Sequence, residues 1–367
     1  MSGVRQSPQM QILRFNIKSL KSMKQTIHIA LAAAIFFIAA CTKHAIDPVP
    51  QVPESSRSYI FFEPEVVETK ANLVTGKTLP TGDAGTFGVI GYCNNVSLFT
   101  GYTNGIARVY RNADGIYQYN NLGKWVNGTD THHFYAFHPY SLAVNVNGGD
   151  PLINYSLPAT EDGMVDILTA YYSNTKTSLV PLTFGHRLWA LDLEITNNQT
   201  ENPYNPNGST ALAPNLSIVS AVLTLTNLPS TGTLELDGTT TVVERTATQS
   251  YTLFNSSSST PDRELASGTT EGFGPLLFFP TTVAYNETNK VQYRIDLVLK
   301  NPWGVQYEFS YPSTPGTYHD FKSGLTSFEA GKRYSLKVVK GNGDSFTVSV
   351  DDEIGWDDEV DVDHTFN

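Results

Sequence analysis

Cysteine is nearly missing from this chain: Cys41 and Cys93 are the only two in 367 residues. So few thiols exclude a disulfide framework, and stability has to come from core packing. Helical patterning is scarce too. Apolar residues at helical intervals occur in one short stretch, 164–172, after Asp162-Gly163, and this is the one helix expected. Basic residues are few. Five of the 24 Lys and Arg lie in the first 40 positions, where no acid occurs, so the remainder carries 19 against 35 Asp and Glu, a formal charge of −16. That acidity argues against nucleic-acid binding, which needs a basic face, and suits a surface facing water.

Catalytic signatures are lacking. There is no Gly-x-Ser-x-Gly elbow and no Gly-x-x-x-x-Gly-Lys-Ser/Thr phosphate loop. The eight His are scattered. His132 and His133 are adjacent, and on a strand their rings point to opposite faces, so they do not share a metal. His186-Arg187 opens an apolar strand and reads as structural. Asp351, Asp352, Glu353, Asp357, Asp358, Glu359, Asp361 and Asp363 crowd the end of the chain. Their spacing fits no calcium loop and reads as a solvated acidic end. Asp162, Asp166, Asp192 and Glu194 could supply paired carboxylates for sugar hydrolysis, but nothing in their spacing brings two together. The expectation is a non-enzyme with no cofactor and no metal site.

What is present begins with Ile38-Ala39-Ala40-Cys41 at the end of an apolar run. Small residues directly before a cysteine, after a hydrophobic segment, form a bacterial lipobox. The small side chains fit a signal peptidase, and the Cys41 thiol receives a diacylglycerol. The run 27–40 falls short of the roughly 20 apolar residues a spanning helix needs. Lys21 and Lys24 supply the basic flank, and the proportions place the start of translation at Met23. Residues 1–40 are therefore read as a signal peptide. Residues 41–56, with Pro48, Pro50 and Pro53, are read as a polar tether. Acyl chains on Cys41 would hold the protein at a membrane surface without spanning it.

After the tether the chain reads as strands. Tyr59-Ile60-Phe61-Phe62, Phe87-Gly88-Val89-Ile90-Gly91-Tyr92 and Phe134-Tyr135-Ala136-Phe137 are apolar runs. Residues 188–195, 219–226, 291–299 and 334–338 alternate apolar with polar, the signature of half-buried strands. Turn pairs such as Asp114-Gly115, Asn127-Gly128 and Asp237-Gly238 separate the runs, among 28 Gly and 20 Pro. Many short strands at regular spacing mean an all-β chain built of β-sandwiches. A loop rich in Asn, Pro and Gly, 197–215, places a boundary between domains at 57–205 and 206–367. A second polar loop, 255–270, lies within the later domain.

Four ordered blocks resemble the fimbrillin family of Bacteroides-type bacteria, the lipoprotein subunits of type V pili. The first is Phe87-Gly88-Val89-Ile90-Gly91-Tyr92. The second is Trp125 followed by His133-Phe134-Tyr135-Ala136-Phe137-His138-Pro139. The third is Val165-Asp166-Ile167-Leu168-Thr169-Ala170, then Val180-Pro181-Leu182-Thr183-Phe184-Gly185-His186-Arg187-Leu188. The fourth is Phe328-Glu329-Ala330-Gly331-Lys332-Arg333-Tyr334-Ser335-Leu336 with a closing Ile354-Gly355-Trp356. Arg187 and Trp189 depart from the pattern, standing where small or aliphatic residues are commoner.

The resemblance implies two tandem transthyretin-like β-sandwich domains. It implies export to the outer membrane, lipid attachment at Cys41 and assembly with other fimbrial subunits. In polymerising members an arginine-specific protease cuts near the start of the first domain, freeing a groove that a strand of another subunit fills. Such strand addition draws strength from backbone hydrogen bonds and specificity from alternating side chains. Arg57, just before Tyr59-Ile60-Phe61-Phe62, sits where that cut would fall. The other reading is a surface glycan-binding lipoprotein, with Trp303 in the turn Asn301-Pro302-Trp303-Gly304 as the ring that contacts sugar.

Overall fold

A computed structural model describes residues 59–66, 79–146, 150–200, 215–282, 290–321 and 325–355. All of these fall within one compact unit, Glu54–Asn367. Among the described residues there are 22 strands. The first eight are β1 (Phe62–Val66), β2 (Phe87–Cys93), β3 (Val96–Ser97), β4 (Ile106–Arg111), β5 (Tyr117–Gln118), β6 (His132–His138), β7 (Val144–Asn145) and β8 (Leu152–Ser156). Next come β9 (Leu168–Asn174), β10 (Val180–His186), β11 (Trp189–Asn197), β12 (Leu216–Glu235), β13 (Thr240–Asn255), β14 (Arg263–Leu265), β15 (Thr270–Phe278) and β16 (Thr281–Thr282). The last are β17 (Gln292–Lys300), β18 (Gln306–Tyr311), β19 (His319–Asp320), β20 (Ser327–Phe328), β21 (Lys332–Lys340) and β22 (Phe346–Gly355).

The expected helix at 164–172 is not there. Glu161–Gly163 forms a single 3₁₀ turn, and Leu168–Asn174 is β9, paired with β6 on one side and β10 on the other. Thr169, Tyr171 and Tyr172 fit a pleated surface, and the neighbouring strands satisfy the backbone of β9 through a ladder that a helix of under three turns could not replace. His186 closes β10 instead of opening the next strand, which starts at Trp189.

One sheet runs in the order β1-β10-β9-β6-β2-β4-β5, with β3 beside β2. It curls until its ends approach: Tyr59 bridges Lys124, and the Ile60 N–H donates to the Gly123 carbonyl at 3.0 Å. The barrel-like interior holds Phe62, Val89, Phe99, Tyr119, Trp125, Phe134 and Phe184. β2 and β6, read from the sequence as apolar runs, are buried on both faces. Phe87, Val89, Phe134 and Ala136 face that interior, whereas Ile90, Tyr135 and Phe137 enter a separate core. Side chains alternate across a strand, so a continuous apolar run marks a sheet covered on both sides.

The later strands form a sandwich. The sheet β15-β11-β21-β22 and the sheet β18-β17-β12-β8-β7 enclose a core of Trp189, Leu191, Leu225, Ile295, Leu297 and Leu336, among others. β17 alternates without a break, with Tyr293, Ile295, Leu297 and Leu299 buried. β11, which precedes the 201–214 segment, pairs with β15 antiparallel and with β21 in parallel. β12 is long enough to serve two cores: Leu223 and Leu225 pack in the sandwich, while Leu234 joins Ile90, Phe137, Ala190 and Phe279 where the two bodies meet.

Trp189, one of the departures noted in the sequence, is fully buried in this sandwich. Its ring stacks on Phe328 at 4.2 Å between centroids, and its Nε1–H donates to the Phe279 carbonyl at 2.8 Å. Arg187, the other departure, reaches the Gly238 carbonyl and Thr240 Oγ1. It thereby ties the β10–β11 link to the β12–β13 turn.

Candidate functional site

The sequence reading places the strand after Arg57 at Tyr59–Phe62; in the structure these residues lead into β1, which runs Phe62–Val66. β1 pairs in parallel with β10, from Phe62 opposite Val180 to Val66 opposite Phe184. Phe62, Pro64 and Val66 face inward and Glu63 and Glu65 face water. Proline is tolerated here because an edge strand leaves one row of backbone groups outside the ladder. The Phe62 ring lies 5.4 Å from Tyr119, 6.0 Å from Phe134 and 6.1 Å from Phe99. The groove under this strand is therefore filled by the chain's own residues.

The approach to β1 is held from the other end of the sheet. The Tyr119 hydroxyl donates to the Ile60 carbonyl at 2.6 Å and accepts from the Gly123 N–H at 3.2 Å. Burial pushes the Tyr119 phenol far above its ordinary value, so it stays a donor. The Lys124 ammonium lies 5.3 Å from the Tyr59 ring centroid, and the Val180 N–H donates to the Phe61 carbonyl at 2.8 Å. Nothing in the sequence reading pointed to Tyr119. The alternation Tyr117-Gln118-Tyr119 signals only a short strand, and its partner lies 59 positions away.

Cys41, the signal peptide, the tether and Arg57 lie outside the described residues, as do the 201–214 part of the boundary loop and the acidic residues from Asp357 onward. Arg57 precedes Tyr59 by two positions, so a cut after it leaves β1 joined to the folded body. Trp303 is half-buried in the β17–β18 turn, where Asn301 Oδ1 accepts from its N–H at 3.1 Å and from the Val305 N–H at 2.9 Å. Pro302, Gly304 and Val305 around it are exposed.

His132, His133, His186, Asp166, Asp192 and Glu194, weighed in the sequence, have structural partners. His132 is buried, with Nδ1 2.9 Å from the Asp130 carbonyl and Nε2 accepting from the Val126 N–H at 3.3 Å. His133, on the opposite face of β6, meets the Tyr171 hydroxyl at 2.8 Å. His186 Nδ1 lies 2.8 Å from Asp166 Oδ1, both groups buried. Asp192 takes two hydrogen bonds from Arg333, and Glu194 takes one from Ser335 at 2.9 Å. Among the described residues no three His, Cys, Asp or Glu converge as a metal site.

Comparison with known proteins agrees with this architecture. A fimbrial protein from Bacteroides vulgatus shares the fold with a TM-score of 0.50 at 15% identity, over 80% of this chain and 99% of that one. Putative cell adhesion proteins from Bacteroides ovatus and Bacteroides uniformis align with TM-scores of 0.49 and 0.47, both at 14% identity. They cover 81% and 82% of this chain and 97% and 99% of their own. No curated protein sequence matches significantly. The fimbrillin-like family model matches residues 74–353, from ahead of β2 into β22. The chain belongs to the fimbrillin-like family.

Proposed function

We propose that this protein is exported, lipidated at Cys41 and built into a fimbria by exchange of the strand at the β1 position. Family membership makes it a structural, adhesive fimbrial protein of the cell surface and not an enzyme. The observation that carries the strand-exchange reading is the way β1 is held. It contributes Phe62 and Val66 to the core, but it is a five-residue edge strand with one ladder, to β10. A cut after Arg57 would free its leading end. Ile60 and Phe62 could then leave together, and a partner strand of the same inward alternation would restore both the ladder and the burial.

In this reading residues 1–40 are removed as the signal peptide and 41–56 form the tether. The two bodies, with their separate cores, are the tandem transthyretin-like domains; the boundary read from the sequence lies near 205/206, and β7, β8 and β11 from the earlier part of the chain join the later sandwich. Digestion of the full chain with an arginine-specific protease tests the proposal. A cut after Arg57 followed by a ladder of oligomers resistant to mild denaturant is expected. A stable monomer after the cut would overturn polymerisation through β1. Retention of acyl label by the Cys41→Ser variant would overturn the lipid site.

A further inference from the structure

A polar cleft lies on the first body, away from β1. It has a volume of about 620 Å³ and is lined by Tyr92, Asn94, Asn95, Asp130, Thr131 and His133, among others. Two loops build it. Asn94 and Asn95 form the two-residue turn between β2 and β3, with φ of 51° and 63°, the left-handed pair such a turn requires. The facing loop is wound on Asn127, whose Oδ1 accepts from the Thr129 and Asp130 N–H groups at 3.0 and 2.7 Å.

The loops are latched together through Asp130. Its Oδ2 accepts from Asn94 Nδ2 at 2.9 Å and from Asn127 Nδ2 at 2.6 Å. Its Oδ1 accepts no hydrogen bond among the described residues, and the Asn95 and Thr131 side chains, both exposed, make none there either. The latch fixes the walls while acceptors and donors stay open. Tyr92 and His133 belong to the lining, and the His133 ring stacks on Tyr171 of β9 at 6.2 Å and 21°, with Tyr171 41% exposed.

We infer that this cleft binds a neutral sugar ring, which would make it the adhesive site of the fimbrial protein proposed above. A sugar presents hydroxyls that both donate and accept, together with an apolar C–H face. A fixed carboxylate oxygen, a primary amide, a threonine hydroxyl and an adjacent aromatic surface match those needs. No Lys or Arg lines the cleft and Asp130 is anionic, so sialylated, sulfated and phosphorylated ligands are disfavoured. The mostly polar lining is equally unsuited to an acyl chain or an apolar peptide.

The test is binding of the full chain to an array of mannose-, galactose- and N-acetylglucosamine-terminated oligosaccharides beside their sialylated counterparts. Asn95→Gly keeps the left-handed turn, and Thr131→Ala breaks no hydrogen bond within the chain. Both variants should fold as the parent, with unchanged thermal midpoints. Each should weaken binding of a neutral glycan roughly three- to tenfold, the worth of one hydrogen bond. Trp303→Ala should leave binding unchanged. The inference is overturned if the parent binds no neutral glycan, if it binds only sialylated ones, or if both cleft variants bind as well as the parent. Oligomer formation after arginine-specific cleavage, followed on the same samples, separates the two proposals. Ladders without sugar binding sink the cleft alone, and sugar binding without ladders sinks strand exchange alone.

Discussion

The Tyr119 hydroxyl donates to the Ile60 carbonyl at 2.6 Å, joining the lead-in of β1 to the far end of the same sheet. This bond adds to the Tyr59–Lys124 bridge and the Ile60–Gly123 hydrogen bond, and together they bring the barrel-like sheet close to closure at the strand proposed to exchange. Tyr119→Phe keeps the ring packed against Phe62 but removes the bond and the acceptor for the Gly123 N–H. The expected loss is about 1–3 kcal/mol, because a buried carbonyl and a buried N–H lose their partner. Urea unfolding measures the total. Hydrogen exchange should show the amides of β1 and β10 losing protection first, and oligomers should form faster after cleavage.

Gly88 lies at the centre of the two-sided sheet. A Cβ there would stand 2.2 Å from Cζ of Phe137, a ring that is itself 1% exposed. Gly88→Ala should therefore cost about 1–3 kcal/mol by overpacking. Adding Phe137→Leu opens space beside the new methyl and should recover part of the loss. A double-mutant cycle on unfolding midpoints checks this, and additive costs would show that the clash is relieved elsewhere.

Arg333 on β21 reaches both oxygens of Asp192 on β11, with Nη2 to Oδ1 at 3.0 Å. Burial pushes the Asp192 carboxyl up and the Arg333 guanidinium pulls it back, while the Asp192 charge holds the Arg333 proton more firmly. Arg333→Met should cost about 3–5 kcal/mol near neutral pH, since it strands a buried carboxylate. With Asp192 raised further in the variant, the loss is greatest above the ordinary carboxyl range. It should shrink as the pH falls and the carboxyl takes up a proton. Unfolding of parent and variant between pH 4 and 7 measures the difference.

His138 is buried beside the Thr86 carbonyl, 3.2 Å from its Nδ1. Burial pulls its imidazole below the ordinary value of about 6.5, more than the Thr86 carbonyl and the Asp166 charge raise it, and His186 nearby lowers it further. Burial lowers His132 in the same way. The unfolded chain takes up protons first, so stability is fully present above about pH 6.5 and declines as the pH falls below it. His138→Asn keeps a donor for Thr86 and cannot charge. A pH series of unfolding midpoints should show a shallower acid slope for this variant, with His132 accounting for part of what remains.

Much of the fold could be read from local pattern. The strands at 189–197 and 292–300 lie within a residue or two of the alternating runs that announce them. Asp162-Gly163 also marks a turn, but the stretch after it was misread as a helix. Its apolar spacing fits a short helix and a short strand equally well, and pairing with β6 and β10 decided between them. The Phe87–Tyr92 run was legible as a strand. Its unbroken apolar character fits cover on both faces, but what supplies the second cover is not local, because Phe137, Ala190 and Leu234 come from distant parts of the chain.

By itself the sequence determined the all-β character and the family. It did so because side-chain alternation and turn residues act over a few positions and leave a local record. The lipobox proposed at Cys41 is likewise a linear signal that needs no fold. Tertiary structure alone decided that β1 lies parallel to β10, 118 positions from Phe62 to Val180, and that Tyr119 closes over it. It alone brought Asn95 and Asp130 to one cleft. Pairing between distant strands depends on which apolar faces can be buried together, and that is a property of the whole packed chain that no local window contains.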